Sequence, residues 1–301
     1  MTWKHFLKIC GIIATAFIIV ACGNGESTSE SGASDEPVEV SIGVVGAVSE
    51  DIWLDVADRL ANQGINLDVV TFTDYNTPNT ALEDGDLDLN AFQHMAFLTE
   101  YISDRGESSI VPVGYTIVSP MYIFSVDSIP DVESIPEGAT VAVSNSPTNA
   151  ERAYLGLQDI GLIELDENAG FAPTPDDIVA NPGNIEILEV APNQIARSLG
   201  DADLITIGGD MLSDAGMDPA DAIYVDTDDI ENIDPLKKNI IASREEDAGS
   251  ETVQTIVDEY QSEETAAYIE EISGGSSIPI WTESDDIQGD FQEAMNNRTA
   301  E

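Results

Sequence analysis

The sequence predicts an α/β fold divided into two lobes. Three observations predict it. A strand–helix–strand unit opens the folded part, β-branched runs and helix-periodic segments then alternate to about residue 280, and some 245 residues suit two lobes with a sheet each. In the opening unit, Val38-Glu-Val-Ser-Ile-Gly-Val-Val-Gly46 alternates β-branched and polar residues as a strand does. From Glu50 to Gln63, Ile52, Val56 and Leu60 recur at four-residue spacing with Gly64 just beyond, which makes an amphipathic helix with a glycine stop. Ile65-Asn-Leu-Asp-Val-Val-Thr-Phe72 is a second strand. Such a unit pairs its strands in parallel through a right-handed crossover.

The same reading places further strands at Leu87–Phe92, Ile110–Val118, Met121–Val126, Thr140–Val143, Ile185–Val190, Leu204–Ile207 and Asn239–Ser243. It places helices at Thr80–Glu83, Met95–Asp104, Thr148–Ile160, Pro175–Val179, Asn193–Leu199 and Glu251–Tyr260. No repeat of solenoid period is present. Residues 38–122 with 237–283 are assigned to one lobe and 123–236 to the other. The stretch 284–301 reads as an acidic, partly exposed tail.

The N-terminus carries an address. Lys4 and Lys8 precede an apolar run from Ile9 to Ala21, and Cys22 follows it. A basic start, a short apolar core and a small residue before the cleavage point make a secretory signal over residues 1–21. A spanning helix needs about 20 apolar residues, so an uncleaved anchor fits less well. A secreted protein with a chance cysteine is the other reading; Ala21 and the polar stretch after Cys22 speak against it. Ile19-Val20-Ala21-Cys22 resembles the lipobox of bacterial lipoproteins, which implies a lipidated Cys22, a tether over 22–37 and a place outside the cytoplasmic membrane. Cys10 would leave with the signal, so one processed chain has no disulfide and no cysteine-based zinc site.

The chain has 10 Lys+Arg against 58 Asp+Glu, a net charge of −48. That excludes nucleic-acid binding through a basic surface. Disorder is a reading of high charge, but 42% hydrophobic residues are enough for a core. The carboxylates read as a solvated surface suited to a saline or alkaline setting, where salt screens their repulsion.

Sites for common cofactors fail. Asp86-Leu-Asp88-Leu-Asn90 has the start of a calcium loop, but Ala91 and Phe97 stand where glycine and glutamate are required. The cluster from Asp226 to Asp229 meets Lys237 at its twelfth position. Paired-histidine zinc sites are excluded, since His94 is the one histidine after Met1–Ala21. Gly43-Val-Val-Gly46 lacks the spacing of a dinucleotide loop, and neither a Walker lysine nor a Gly-x-Ser-x-Gly elbow occurs. No cofactor or metal is expected. His94 could serve as a general base in a surface hydrolase, but no nucleophile is placed beside it. An adhesin with a vestigial cleft is a further reading.

Three stretches remain. They are Thr71-Phe-Thr-Asp-Tyr-Asn-Thr-Pro-Asn-Thr-Ala-Leu-Glu-Asp-Gly-Asp-Leu-Asp-Leu-Asn-Ala-Phe-Gln-His94, Ser146-Pro-Thr-Asn-Ala-Glu-Arg-Ala-Tyr-Leu-Gly-Leu-Gln158 and Ala191-Pro-Asn-Gln-Ile-Ala-Arg-Ser-Leu199. Together they resemble the methionine-binding lipoproteins of the NlpA/MetQ family, the substrate-binding components of methionine ABC importers. The resemblance runs from about Val40 to Gly275. It implies a periplasmic-binding-protein fold with the ligand in the cleft, interlobe crossings near 119–125 and 232–238, an ABC permease as partner, and no enzyme activity.

The residues suit an amino acid. Arg152, in the first turns of a helix after Pro147, can clamp a carboxylate with parallel hydrogen bonds, and the helix start favours an anion. Asn149 lies three residues earlier. The competing reading is a surface arginine paired with Glu151 or Asp159. Tyr75, Phe92, His94 and Phe97 supply aromatic walls that suit a thioether, with ordinary core burial as the alternative for Phe92. The family commonly has tyrosine where this chain has Phe97. Asn239 precedes Ile-Ile-Ala-Ser-Arg-Glu-Glu-Asp, which resembles the family's Asn-Leu-Ile-Val-Thr-Arg-Glu-Asp, whose asparagine contacts the ligand's polar end. A second family asparagine falls where this chain reads Ile207-Gly208-Gly209-Asp210. Glycine supplies no amide there; Asp210 or a water takes the ligand ammonium, or the ligand differs. D-methionine, a methionyl dipeptide or another small amino acid are the alternatives to L-methionine.

Overall fold

The structure is a computed structural model and describes residues 36–166, 168–169, 173–226, 230 and 233–299. Cys22 and the leader lie outside the described residues, as does the start of the second expected crossing at residue 232.

The chain opens with β1 (Val38–Val45), α1 (Ala47–Leu60), β2 (Ile65–Phe72), α2 (Thr77–Asp84), β3 (Leu89–His94), α3 (Met95–Arg105) and β4 (Ile110–Val118). It continues with β5 (Met121–Ser125), β6 (Thr140–Ser144), α4 (Pro147–Asp159), β7 (Glu164–Leu165), β8 (Ile178–Ala180), β9 (Glu186–Val190), α5 (Ile195–Ser198), β10 (Leu204–Gly208), α6 (Leu212–Ala215) and β11 (Tyr224–Val225). It closes with β12 (Lys238–Arg244), α7 (Glu251–Tyr260), α8 (Glu263–Ser273), β13 (Ile278–Pro279) and α9 (Ile287–Thr299).

These strands form two main sheets. The first has six strands in the order β13-β4-β12-β3-β1-β2, and the second five in the order β11-β5-β10-β6-β9; β7 and β8 make a small pair of their own. β1 runs parallel to both β2 and β3, as the strand–helix–strand unit requires. The chain leaves the first sheet after β4, passes Ser119 and Pro120, and enters the second sheet at β5. It returns between β11 and β12, and β12 pairs antiparallel with β3 and β4. Gly209 marks the junction: a Cβ there would lie 2.0 Å from the Ser276 carbonyl oxygen, so only glycine lets the two backbones approach.

Each sheet is covered on both faces. In the first lobe, Ile42, Val44, Trp53, Val56, Leu60, Ile256 and Ile269 fill one face. Trp53 stacks on Tyr260 with ring centroids 4.6 Å apart. Leu82, Met95, Leu98, Ile110, Tyr115, Ile240 and Phe291 fill the other. β5 shows the two-residue period of a strand directly: Ile123 joins the core beneath α4, while Tyr122 and Phe124 join the core on the opposite side. Each fully buried Leu, Ile or Val contributes about 1.5–3 kcal/mol.

The expected α/β class is the observed one, and four local readings need correction. The helix expected at Pro175–Val179 is a single 3-10 turn, Pro175–Asp177, followed by β8. The Asp177 carboxylate accepts from the Thr174 N–H at 2.7 Å, and this capping box closes one turn without an apolar face to extend it. The strand expected at Leu87–Phe92 lies two residues later and ends on His94. The helix expected from Asn193 is shorter, Ile195–Ser198. The tail expected at 284–301 contains α9, with Phe291 and Ala294 only 5% and 6% exposed. It folds onto the first lobe because Ile287, Phe291, Ala294 and Met295 share a helical face.

Candidate functional site

Between the two sheets lies a cavity, and all nine residues named above line it: Tyr75, Phe92, His94, Phe97, Asn149, Arg152, Gly208, Asp210 and Asn239. They come from five places. Tyr75 sits on the β2–α2 loop. Phe92 and His94 end β3, and Phe97 opens α3. Asn149 and Arg152 share one face of α4 at a spacing of three residues. Gly208 ends β10, and Asp210 lies two residues beyond it. Asn239 lies at the start of β12, in register with His94.

The β3–α3 junction fixes the aromatic wall. His94 is both the last residue of β3 and the N-cap of α3, and its Nδ1 accepts the Phe97 backbone N–H at 3.1 Å. Nε2 therefore carries the proton and donates to Asn149 Oδ1 at 3.1 Å, across the cleft. Burial, then the nearby Arg152 charge, lowers the His94 pKa to about 4, so the ring is neutral at pH 7. Phe97 meets Phe92 edge-on with centroids 5.8 Å apart, and Tyr75 lies nearly parallel to Phe92 at 6.1 Å. These rings form three sides of an apolar box.

The opposite pole is charged. Arg152 donates from Nε and Nη2 to both oxygens of Asp226, at 3.0 and 3.1 Å, and from Nη2 to the Ser119 carbonyl at 3.0 Å. Its side chain is 8% exposed. Lys237 Nζ lies 3.5 Å from Asp226 Oδ2. The expected pairing of Arg152 with Glu151 or Asp159 is not made; the acid is Asp226. Among the described residues no hydrogen bond engages Nη1. Asp226 also accepts the Met121 backbone N–H at 2.8 Å, so the arginine is aimed from the crossing between the sheets.

Further hydrogen bonds tie the lobes over the cleft. The Tyr75 hydroxyl donates to Asp210 Oδ2 at 3.1 Å, the Ala47 N–H to Asp214 at 3.1 Å, and Asn193 Nδ2 to the Thr73 carbonyl at 3.2 Å. Among the described residues no group of three His, Cys, Asp or Glu could hold a metal ion. No described helix is long and apolar enough to cross a membrane.

The family description that matches this sequence is the NlpA lipoprotein, over residues 40–281. The chain belongs to the NlpA lipoprotein family. This NlpA lipoprotein is 38% identical to a probable D-methionine-binding lipoprotein MetQ of Vibrio cholerae over 92% of its own length and all of the relative's. Its fold is similar to that of protein PG110 from Staphylococcus aureus, with a TM-score of 0.79, 34% identity and coverage of 85% of this chain and 99% of that one. It is also similar to a nutrient binding protein from Burkholderia cenocepacia bound to methionine, with a TM-score of 0.75, 33% identity and coverage of 80% and 100%.

Sequence reasoning missed Ser119, Met121, Ile195 and Met211, which line the cavity of this NlpA lipoprotein, and Asp226, which pairs with Arg152. Ser119 and Met121 flank Pro120 where the chain passes between sheets, and that position was the available signal. Asp226 stood only in an acidic run examined for calcium spacing; its pairing with a residue 74 positions earlier leaves no local trace.

Proposed function

We propose that this NlpA lipoprotein is an extracytoplasmic binding protein that captures methionine between its lobes and delivers it to an ABC importer. It does no bond chemistry. The observation that carries the reading is the cavity with two unlike ends. One end is the box of Tyr75, Phe92 and Phe97, which suits a thioether chain through sulfur–aromatic contacts worth about 0.3–1.5 kcal/mol each. The other is Arg152 with Nη1 available, beside the Asn149 amide whose oxygen His94 already occupies. Nη1 and the Asn149 amide nitrogen are then donors for the ligand carboxylate. Asn239, at the start of β12, adds an amide near the polar end. The names of the Vibrio and Burkholderia proteins support methionine as the ligand.

The aromatic residue at 97 keeps the wall without a hydroxyl, so the thioether end is drier than a tyrosine would make it. Lipidation at Cys22 would hold the protein at the outer face of the membrane and raise its concentration near a permease. Replacing Cys22 by alanine is expected to release the protein into the soluble extracytoplasmic fraction.

Equilibrium dialysis with labelled L-methionine in high salt, with D-methionine as competitor, tests the central reading. Saturable binding that Arg152→Ala abolishes is expected. Absence of saturable binding by the intact protein would overturn it.

A further inference from the structure

Gly208 has φ −72° and ψ 147°, ordinary extended backbone that any residue adopts, so glycine is not required by conformation. Space requires it. A Cβ on Gly208 would lie 2.5 Å from Asp210 Oδ1. The carboxylate two residues on fills the volume where a side chain at 208 would begin.

That carboxylate is held in place. Asp210 Oδ1 accepts from the Ser119 hydroxyl at 3.0 Å, and Oδ2 from the Tyr75 hydroxyl at 3.1 Å. The Ser119 oxygen in turn accepts the Asp210 backbone N–H at 2.8 Å, which aligns its one proton with Oδ1. Burial and the neighbouring Asp210 charge push the Tyr75 pKa well up, so its phenol stays a neutral donor. Two hydroxyls leave lone pairs of the carboxylate unused. Among the described residues no Lys, Arg or His forms an ion pair with Asp210. Arg152, which lines the cavity, Asp226, which is paired to it, and Lys237, beside that acid, sum to one positive charge. The cavity thus carries one net cationic pole and one anionic group on a separate strand end.

We infer that Asp210, whose carboxylate occupies the space that the absent side chain of Gly208 leaves, accepts the ammonium of the ligand, and that it makes the site selective for a protonated α-amine. The inference rests on the amino-acid reading above and names the group that recognises the amine. A carboxylate distinguishes an ammonium from a hydroxyl more sharply than an amide does. An amide oxygen accepts from either, whereas a hydroxyl leaves the carboxylate's charge unpaired. Gly208 and Asp210 act as one unit: the glycine is there for the acid.

The competing role for Asp210 is a latch that only joins the lobes through Tyr75. Titration calorimetry in 1 M NaCl separates the two. The probes are L-methionine and 2-hydroxy-4-(methylthio)butanoate, which carries a hydroxyl in place of the ammonium. The intact protein is expected to prefer methionine by about 100-fold or more, as a charge-assisted bond and an unpaired charge together give. Asp210→Asn is expected to reduce that preference at least about tenfold, mostly by weakening methionine. Gly208→Ala keeps the acid but displaces it, and its backbone angles suit alanine, so it carries the same test should Asp210→Asn fold poorly. A parallel loss of both ligands, with the ratio unchanged, would make Asp210 a latch and overturn the inference while methionine capture stands. Failure of the intact protein to bind methionine would overturn both.

Discussion

His94 makes two bonds that a single protonation state allows. Nδ1 must be bare to cap α3, and Nε2 must carry hydrogen to reach Asn149 across the cleft. Its pKa is lowered to about 4, so protonation of the unfolded chain begins to compete near 6.5. Above pH 6.5 neither state binds the proton and the contribution is complete. Between 6.5 and 4 the unfolded chain takes a proton that the folded chain refuses, so stability falls with pH, by about 3 kcal/mol in all. Burial raises the pKa of Glu100 and of Glu151, and those groups act in the opposite sense. A variant that removes the histidine alone isolates its part. His94→Asn keeps a capping side chain and does not titrate. Its urea midpoint is expected to approach that of the intact protein as pH falls from 7 to 4; a constant gap would show that His94 titrates normally. Arg152 and Asp226 are argued in the same way. Arg152→Ala leaves Asp226 buried beside Lys237 and is expected to cost about 3 kcal/mol, and Arg152→Ala with Asp226→Asn to recover part of that stability without recovering ligand binding. Equal stability of the single and double variants, measured by urea unfolding, would contradict the coupling. The sequence could show Arg152 as a rare cation on a helix start. It could not show Asp226, because the pair meets only when the second sheet has formed.

At the scale of elements, strands and helices with a strong period were legible and the weak ones were not. β1, α1 and β2 carry regular apolar spacing and fold as the pattern predicts. α9 carries its spacing too, at Ile287, Phe291, Ala294 and Met295, but Gly289 and the acidic and amide residues between them dilute it. What fixes α9 is tertiary. Phe291 is buried beside Leu98 and Tyr115, the Tyr115 hydroxyl donates to Asp290 at 2.7 Å, and Arg298 donates to Thr99 Oγ1 and the Ala96 carbonyl at 2.9 and 3.0 Å. α9 therefore braces α3, the helix that His94 caps and on which Phe97 sits. Phe291→Ala is expected to cost about 3 kcal/mol by the usual cost of truncating a buried aromatic. Because α3 carries part of the aromatic wall, the same variant is expected to weaken methionine binding a few-fold. Calorimetry beside urea unfolding checks both. A full loss of stability with unaltered affinity would show that α9 supports the lobe and not the site.

For the whole molecule the dominant fact is charge. Ten cations face 58 acids, and several of the cations are already committed: Arg152 and Lys237 to Asp226, Lys238 to Asp285, and Arg244 to Asp88 and Asp247. The remaining carboxylates repel one another, and closing two acidic lobes over a cleft brings them nearer. The composition showed this excess, but not that both lobes share it or that the cleft itself is nearly balanced. Repulsion acts on the folded chain more than on the expanded one, because unfolding spreads the charges. The screening length falls from about 10 Å at 0.1 M salt to about 3 Å at 1 M. The unfolding temperature is therefore expected to rise as NaCl goes from 0.1 to 1 M, with most of the gain below 0.5 M, where screening changes fastest over interacid distances. Sucrose, which favours compact states without screening, serves as the control. Affinity for a zwitterion adds no net charge, so its salt dependence reports lobe closure alone and is expected to follow the same curve at smaller amplitude. Differential scanning calorimetry and titration calorimetry across one salt series measure the two together. A melting temperature indifferent to NaCl would mean that the acidic surface is neutralised within the fold, and the repulsion account would fail.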